Sequence, residues 1–287
     1  MFHFLRYSVP AVIASVAVIA AGCVAYVMHG GFRYSVEFTG GTELRVRFDK
    51  PQDTAAITHA IKHDWNGTVY TVLGANELIV RVPKTPEEAP DLNTEIKATI
   101  DKASVDNPVT IQEKNSLSSG VGETLKWRSI QAIIIALLCM LAYIAFRFKF
   151  AFAVGAVVAL FHDALIVLAF FLILNREISI DVIGAILAVL GYSMNDTIII
   201  FTRIRDNLKK KKGMALADVV NGSLNETLRR TLLTSSATLL VVASQFIFGG
   251  ETIRNLSLTL LIGIIYGTFS SIFIASPVMM LLHKEEK

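Results

Sequence analysis

Apolar residues in this chain are gathered into long runs that few polar residues interrupt. A helix needs about 20 consecutive apolar residues to cross a hydrocarbon core of about 30 Å. Six runs approach or exceed that length, at 9–28, 129–146, 150–174, 179–201, 231–248 and 256–282. The pattern therefore predicts a polytopic α-helical membrane protein with six transmembrane helices.

The segment of about 29–128, between the first two runs, has a different pattern. Strict alternation over Thr42–Phe48 places Leu44, Val46 and Phe48 on one face, which is typical of a half-buried strand. A β-α-β-β-α-β order follows, with further strands at Thr68–Leu73 and Glu77–Val82 and through Val109 and Ile111, and with helices at Asp53–His63 and Asp91–Ala103. A turn at Gly74-Ala75-Asn76 would join the second and third strands as a hairpin. This order predicts an α+β ferredoxin-like domain.

Basic residues in short loops predict the orientation, because they stay on the cytoplasmic side of a membrane. They lie between spans two and three, between spans four and five, and at the carboxyl end: Arg147, Lys149, Arg203, Arg205, Lys209 to Lys212, Arg229, Arg230, Lys284 and Lys287. We therefore expect a cytoplasmic N-terminus and the first helix in 1–28, and an extracytoplasmic domain in about 29–128. Helices two to six would occupy 129–282, with a cytoplasmic loop at about 202–230 and a cytoplasmic tail at 283–287.

Composition narrows the classes of function without selecting one. The chain of 287 residues is 53% hydrophobic and 18% charged, and its net charge of +3 mostly reflects the basic loops. Both cysteines, Cys23 and Cys139, lie in predicted spans, so we expect no disulfide framework in the outer domain. Ala20-Ala21-Gly22-Cys23 resembles a lipoprotein cleavage box. The apolar run continues to Met28, however, which favours an uncleaved helix.

Few residues in the sequence suggest enzymatic chemistry. The outer segment has no Ser-His-Asp or Cys-His set, Gly-rich phosphate loop or aromatic-basic face, so we expect no enzyme activity, cofactor or nucleic-acid partner. His162 and Asp163 are adjacent within a predicted span. Neighbouring helical side chains point about 100° apart, so this pair cannot chelate one ion. We therefore expect no metal site.

An aspartate lies within the fourth apolar run. An ionisable side chain at the centre of a transmembrane helix costs about 2.5 to 3.5 kcal/mol and usually serves a proton, an ion or a charged partner. Asp196 lies about 22 Å beyond Asp181 along a helix, in the inner part of the bilayer, and Arg230 opens the fifth run from that same side. The sequence predicts an Asp196–Arg230 pair, although Arg229 could exchange places with Arg230. A structural ion pair between helices remains the alternative to a working carboxylate.

Other polar and small residues recur at helical spacing around this aspartate. Tyr192 and Ser193 lie four and three residues before Asp196, so their hydroxyls could hold a proton or a water beside the carboxylate. A stripe of small residues on the same helix predicts a packing face: Gly184, Ala188, Gly191 and Asn195. Gly263 and Gly267 predict a second packing face in the sixth span. Secondary intramembrane polar positions are His162, Asp163, Thr231 and Thr234, the last two on a stripe with Thr227 and Arg230.

Several of these segments together resemble a known family. They are Phe161-His162-Asp163, the run from Gly191 to Thr197, Arg203-Ile204-Arg205, the run from Asn225 to Thr231, and Phe38-Thr39-Gly40-Gly41-Thr42. Together they resemble the SecF family, the smaller partners of SecD in bacterial protein export, which belongs to the RND-type transporters. Two positions depart from the family pattern. Glu37, beside Phe38, Gly40 and Gly41 in the outer motif, stands where Asp is usual, and Thr202 stands where Asp is frequent.

The resemblance implies a subunit of the bacterial inner (plasma) membrane that joins SecD and the SecYEG channel. Such a subunit would use the proton motive force to promote late steps in the translocation of an unfolded polypeptide. In that family the positions matching Asp196 and Arg230 are tied to proton passage, so Asp196 would take up and release the proton. Asn195, Tyr192 and Ser193 would assist this proton transfer. Alternatives are coupling to sodium, a scaffold that moves no ion, and an RND-type exporter of small molecules.

Overall fold

The computed structural model describes residues 2–52, 54–71, 76–83, 91–104, 107–211 and 213–283. Outside them lie the predicted turn at Gly74 and Ala75, the end of the second predicted strand, Lys212 and the tail after His283. By its internal contacts the chain divides into two compact units. The membrane unit comprises Met1–Arg33 and Gln131–Lys287, and the α+β unit comprises Tyr34–Ile130.

The elements follow in chain order. The helices are α1 Ser8–His29, α2 Val36–Thr39, α3 Thr54–Trp65, α4 Leu92–Ala103, α5 Ser119–Arg147, α6 Phe150–Ile173, α7 Ile180–Lys210, α8 Leu216–Phe248, α9 Gly250–Ser270 and α10 Ser276–Leu282. A 3-10 turn at Phe4–Tyr7 precedes α1, and a π-helical turn at Ser271–Ala275 joins α9 to α10. The strands are β1 Arg33–Tyr34, β2 Gly41–Phe48, β3 Thr68–Thr71, β4 Glu77–Val82, β5 Val109–Leu117 and β6 Glu177–Ile178.

Four strands of the α+β unit form one sheet in the order β3-β4-β2-β5, with each neighbouring pair antiparallel. β3 and β4 form the predicted hairpin. The alternation predicted for β2 is observed, because Leu44, Val46 and Phe48 are buried while Arg47 between them is exposed. These side chains share one core with apolar residues of α3 and α4, among them Ile57, Ile61, Leu92, Ile96 and Ile100.

Six helical stretches of the described chain are long and apolar enough to cross a membrane: Phe4–His29, Gly120–Arg147, Phe150–Ile173, Ile180–Lys210, Leu216–Phe248 and Ile253–Leu282. They match the six predicted runs in order, but several extend further. The loop expected at about 202–230 is wrong, since α7 continues to Lys210 and α8 begins at Leu216. Hydropathy detects only the apolar part of a helix, whereas polar side chains stabilise the extensions.

Local sequence explains where two of these helices stop and start. α1 ends at Gly30, which has the left-handed φ of 74° and donates its N–H to the carbonyls of Tyr26 and Val27. Glycine adopts that conformation without steric cost. α7 begins after Ser179, whose side chain accepts the Val182 N–H, and Asp181 in the first turn complements the positive end of the helix.

Candidate functional site

The middle of α7 places an aspartate against two neighbouring helices. Asp196 is 1% exposed, although α7 is long and apolar enough to cross a membrane. Its Oδ2 accepts hydrogen bonds from Ser235 Oγ of α8 and Thr268 Oγ1 of α9, each at 3.4 Å. The hydroxyl oxygens of Ser235 and Thr268 lie 2.7 Å apart. Three helices therefore meet at one carboxylate.

Two buried oxygens near this crossing are left without partners. Asp196 Oδ1 and Thr231 Oγ1 make no hydrogen bond within the described residues. Thr231 lies one turn before Ser235 and therefore shares its face of α8. An unsatisfied buried polar atom costs about 1–3 kcal/mol. The crossing is therefore suited to a small polar species, such as a proton or a water molecule.

The expected ion pair between Asp196 and Arg230 is absent from this structure. Arg230 is exposed on α8, and within the described part of the chain no carboxylate oxygen lies within 4.0 Å of its guanidinium. Arg230 lies five residues before Ser235, so the two side chains point about 140° apart on a helix of 3.6 residues per turn. In this structure Ser235, and not Arg230, makes the direct contact with Asp196. The exposed Thr234 donates to the Arg230 carbonyl at 3.1 Å.

The hydroxyls expected beside Asp196 bind elsewhere. Tyr192 donates to Thr238 Oγ1 of α8 at 3.3 Å, and Ser193 donates to Asp163 Oδ2 of α6 at 2.6 Å. Asn195 is exposed. Spacing along α7 correctly places Ser193 and Asp196 on one side of the helix. Ser193, however, binds Asp163 of α6, whereas Asp196 binds hydroxyls of α8 and α9. The relay predicted within α7 is therefore replaced by contacts between helices.

A second buried carboxylate lies on α6. Asp163 is fully buried, and its Oδ2 accepts from Ser193 Oγ and from Ser270 Oγ of α9, the latter at 2.9 Å. Its Oδ1 lies 3.1 Å from His162 Nδ1. The expectation that these neighbours point apart is wrong in this respect, because the two side chains contact each other. The described residues contain no group of three His, Cys, Asp or Glu side chains placed to hold a metal ion.

The ends of α7 and α8 are joined by polar contacts at Glu226. Its carboxylate pairs with Arg203, accepts from Asn207 Nδ2 at 2.8 Å, and accepts from Lys211 Nζ at 3.4 Å. The side chain of the preceding residue, Asn225, forms two hydrogen bonds with the backbone of Phe2. Its Nδ2 donates to the Phe2 carbonyl and its Oδ1 accepts from the Phe2 N–H, both at 2.8 Å. These contacts fix the polar extensions of both helices.

Family models match this chain in two places. The model described as the SecD/SecF GG motif matches residues 28–52. The model described as protein export membrane protein SecD/SecF, C-terminal, matches residues 97–285, which is more than half of the chain. This chain belongs to the SecD/SecF family. The predicted polytopic helical membrane protein is thereby confirmed.

Individual members of the family align over nearly the whole chain. The protein translocase subunit SecF of Magnetococcus marinus is 37% identical over 286 residues, covering 98% of this chain and 92% of that protein. The SecF of Vibrio alginolyticus is 36% identical over 282 residues, covering 97% and 89%. The crystal structure of SecDF from Thermus thermophilus superposes with a TM-score of 0.86 at 29% identity. That match covers 98% of this chain, which spans only 38% of the SecDF chain.

The GG motif of the family has a conformational basis in this chain. Gly40 and Gly41 have φ values of 74° and 116°, which side chains other than glycine rarely adopt. A Cβ on Gly41 would also lie 2.5 Å from the Val82 carbonyl oxygen. Before them, Glu37 accepts from Ser35 Oγ at 3.0 Å and Phe38 is buried. The motif therefore shapes the entry of the chain into β2.

Of the two predicted packing faces, the one on α9 contacts a neighbouring helix in the described chain and the one on α7 does not. A Cβ on Gly263 would overlap Val189, and one on Gly267 would lie 2.9 Å from Ser193 Cβ, so these glycines allow α9 to approach α7 closely. Gly184, Ala188 and Gly191 are exposed. The contact expected there is absent within the described chain, because α7 turns its larger residues, such as Val182 and Val189, into the bundle.

Sequence reasoning missed Ser235 and Thr268, the two donors to Asp196. A signal for Ser235 exists in the sequence. Thr227, Thr231 and Ser235 recur every four residues along α8, and all three are buried. Thr268 directly follows Gly267, the close-contact glycine. Neither signal could have shown that α8 and α9 meet at Asp196.

Proposed function

We propose that this chain is a membrane subunit of the Sec protein-export machinery, in which binding and release of a proton at Asp196 drives helix movement during polypeptide translocation. The observation that carries the proposal is the buried Asp196 carboxylate at the crossing of α7, α8 and α9, with one oxygen unpaired. Family membership supports the export role, since relatives are named protein translocase subunit SecF. The chain is then a transport subunit and not an enzyme.

A SecD-type protein is the proposed partner, with a SecYEG channel and the unfolded exported chain beyond it. The SecDF structure supports this pairing, because this chain matches only 38% of a longer polypeptide whose name joins SecD and SecF. The exposed stripe of Gly184, Ala188 and Gly191 on α7 offers a face that a partner helix could approach closely. Small residues permit such contact in membranes, where van der Waals packing drives association.

The proposed location is the bacterial plasma membrane, with both termini cytoplasmic and the α+β unit outside. The basic residues near the α5–α6 and α7–α8 connections support this orientation. The α+β unit would be a ferredoxin-like domain of about residues 29–128, which the β-α-β-β-α-β order and the sheet order β3-β4-β2-β5 support. It would contact the emerging polypeptide.

Arg230 has a role in this cycle although it does not pair with Asp196 here. Two crystal structures of SecDF match this chain with TM-scores of 0.86 and 0.70, the second described as the super-membrane-facing form, which supports alternative arrangements of the family fold. We propose that α8 rotates or slides so that Arg230 approaches Asp196 in another state. An opposite charge nearby favours the ionised carboxylate and thereby promotes release of the proton.

The available energy limits what one proton can do. One elementary charge crossing 100 mV yields about 2.3 kcal/mol, which is a factor of about 50 in an equilibrium. Reversing a two-state equilibrium from 1:99 to 99:1 requires about 5.5 kcal/mol. A complete switch therefore needs more than one proton, a pH gradient, or binding energy from the translocating chain.

Export of a secreted reporter from membrane vesicles tests the proposal. We expect Asp196→Asn to lower export to the level that wild-type vesicles reach with an uncoupler, because the amide cannot bind and release a proton. Asp181→Asn is the matched control, since it removes an exposed carboxylate from the first turn of the same helix. Assembly of the complex is checked for each variant.

Two outcomes would redirect the proposal. If the Asp196→Asn variant assembles normally and keeps uncoupler-sensitive export, the chain acts as a scaffold. The hydroxyls of Ser235 and Thr268 would then only hold the helices together at Asp196. Sensitivity to a sodium ionophore instead of an uncoupler would identify sodium as the coupled ion.

A further inference from the structure

We propose that Asp163 is a second proton-binding carboxylate, coupled to Asp196 through α7, which carries Asp196, and through α9, which both side chains contact. This inference rests on the proposed function at Asp196 and adds a site that the SecF resemblance does not assign. The starting observation is a fully buried aspartate held by donors from its own helix, from α7 and from α9. Its donors are two serines and His162.

Among the described residues, no Lys or Arg forms an ion pair with Asp163. Neither α6, nor α7 within two turns of Ser193, nor α9 within two turns of Ser270 carries Lys or Arg. The nearest basic residue along α7, Arg203, lies ten residues from Ser193, about 15 Å along the helix. The Asp163–His162 pair therefore has no net charge only when one additional proton resides on the carboxylate or on the imidazole.

The other titratable side chains that neighbour the site are few. On α7 they are Tyr192, which bonds to α8, and Asp196. On α9 it is Tyr266, whose ring packs against Phe170. Further away, Cys23 of α1 is exposed and the His283 ring contacts Phe152, three turns before Asp163 on α6. His162 is therefore the one base in direct contact with Asp163 among the described residues.

The hydroxyl groups of Ser193 and Ser270 can form hydrogen bonds with both protonation states of Asp163 without movement of a helix. When Asp163 is ionised, Ser193 and Ser270 donate to Oδ2 at 2.6 and 2.9 Å. Both hydroxyls also lie near the Gly267 carbonyl, at 3.5 and 3.1 Å respectively. When Oδ2 gains a proton, it can donate to one serine oxygen while that serine turns its own hydrogen to Gly267.

A route for the proton is available through His162. Nδ1 of His162 contacts Asp163, while Nε2 is buried and makes no hydrogen bond within the described residues. A proton that binds Nε2 leaves a second proton at Nδ1, which can pass to Asp163 Oδ1, and rotation of the carboxyl group then brings this O–H to the two serines. The step forms one O–H bond and breaks one N–H bond, and it requires no oxidant or reductant.

Both carboxylates depend on the same contact between α7 and α9. Ser193 lies one turn before Asp196, and Ser270 lies two residues after Thr268, the donor to Asp196. A shift of α9 against α7 would therefore change the hydrogen bonds of both aspartates together. The π-helical turn that follows at Ser271–Ala275 gives α9 a non-standard turn at this point, a feature frequent at functional sites.

Difference infrared spectroscopy of the reconstituted full complex tests the proposal, since protonated carboxylic acids have their own carbonyl stretch. We expect pH difference spectra of Asp196→Asn to retain one titrating band at the frequency of a buried carboxylic acid, and Asp163→Asn/Asp196→Asn to lose that band. Ser270→Ala should shift that band, because the acid loses a hydrogen-bond partner. Asp181→Asn, which removes an exposed carboxyl group, should leave that band unchanged. In the export assay, Asp163→Asn should lose most of the uncoupler-sensitive fraction.

Several results would overturn the proposal. One is an Asp196→Asn spectrum that already lacks the titrating band at the frequency of a buried carboxylic acid. Another is wild-type uncoupler sensitivity in an assembled Asp163→Asn complex, which would remove the coupling role. If Asp163→Asn does not assemble, Ser193→Ala and Ser270→Ala decide the question, since an unshifted band in both excludes Asp163. The infrared result does not depend on export, so it remains decisive even if Asp196 proves not to be coupled.

Discussion

At the scale of single residues, the position of a side chain on its helix matters more than its separation in sequence. Arg230 has the right charge and depth to pair with Asp196, yet it points about 140° away from Ser235, which makes the contact. Position on the helix also decides which glycines are needed for close packing. Gly267 is required by the neighbour it faces, whereas Gly184 faces open space in this chain.

We expect Gly267→Ala to destabilise the membrane unit by about 1–3 kcal/mol, the usual cost of overpacking. The new Cβ would lie 2.9 Å from Ser193 Cβ and force α9 away from α7. The measurement is the apparent melting temperature of the detergent-solubilised protein. Gly184→Ala is the control and should leave that temperature nearly unchanged, because nothing lies within 4 Å of the added Cβ. Equal melting temperatures for the two variants would contradict the close contact.

At the scale of elements, polar side chains extend helices that hydropathy alone would end. The predicted loop at about 202–230 is mostly helix, because Glu226 of α8 binds Arg203 and Asn207 on successive turns of α7 and Lys211 directly after its end. Such contacts between exposed groups are individually weak, at about 0.2–1 kcal/mol per ion pair. Several of them on one carboxylate nevertheless align the ends of both helices.

Glu226→Gln should loosen this end of the α7–α8 hairpin, since an amide cannot form ion pairs with Arg203 and Lys211. We expect faster amide hydrogen exchange over residues 205–226, by a few-fold, with the middle of both helices unaffected. The effect should diminish in high salt, which already screens the wild-type pairs. Asp206→Asn, which removes a more exposed carboxylate 3.9 Å from Arg205, should change the exchange much less.

At the scale of the whole molecule, the two units have separate cores. The α+β unit buries apolar residues from its sheet and from α3 and α4, whereas the membrane unit buries them mainly along α6, α7 and α9. A change in one core should therefore leave the local stability of the other nearly intact.

Ile61→Ala tests this separation, because Ile61 is fully buried in the α+β core. Truncating a buried isoleucine to alanine costs about 2–5 kcal/mol, and truncating it to valine about 0.5–1.5 kcal/mol. Hydrogen exchange should accelerate across β2, β4 and β5 in Ile61→Ala and much less in Ile61→Val. Protection of α6 and α7 should stay at the wild-type level in both. Loss of protection in α6 would show that the two units unfold together.

The sequence by itself determined the features that depend on local periodicity. Six apolar runs indicated six helices, alternation indicated β2 and β4, and the isolated aspartate at position 196 indicated a site. Each of these signals arises within one element, where the spacing of apolar and polar residues follows the geometry of a helix or a strand.

Only the tertiary structure decided which side chains meet. Ser235 and Thr268 lie 39 and 72 residues from Asp196 in sequence, and Asp163 lies 30 residues from Ser193 and 107 from Ser270. Contacts of this kind depend on which helices adjoin and how each is rotated about its axis. Packing of whole helix faces sets both, through close approaches such as Gly263 against Val189, and periodicity within one helix carries no information about its neighbour.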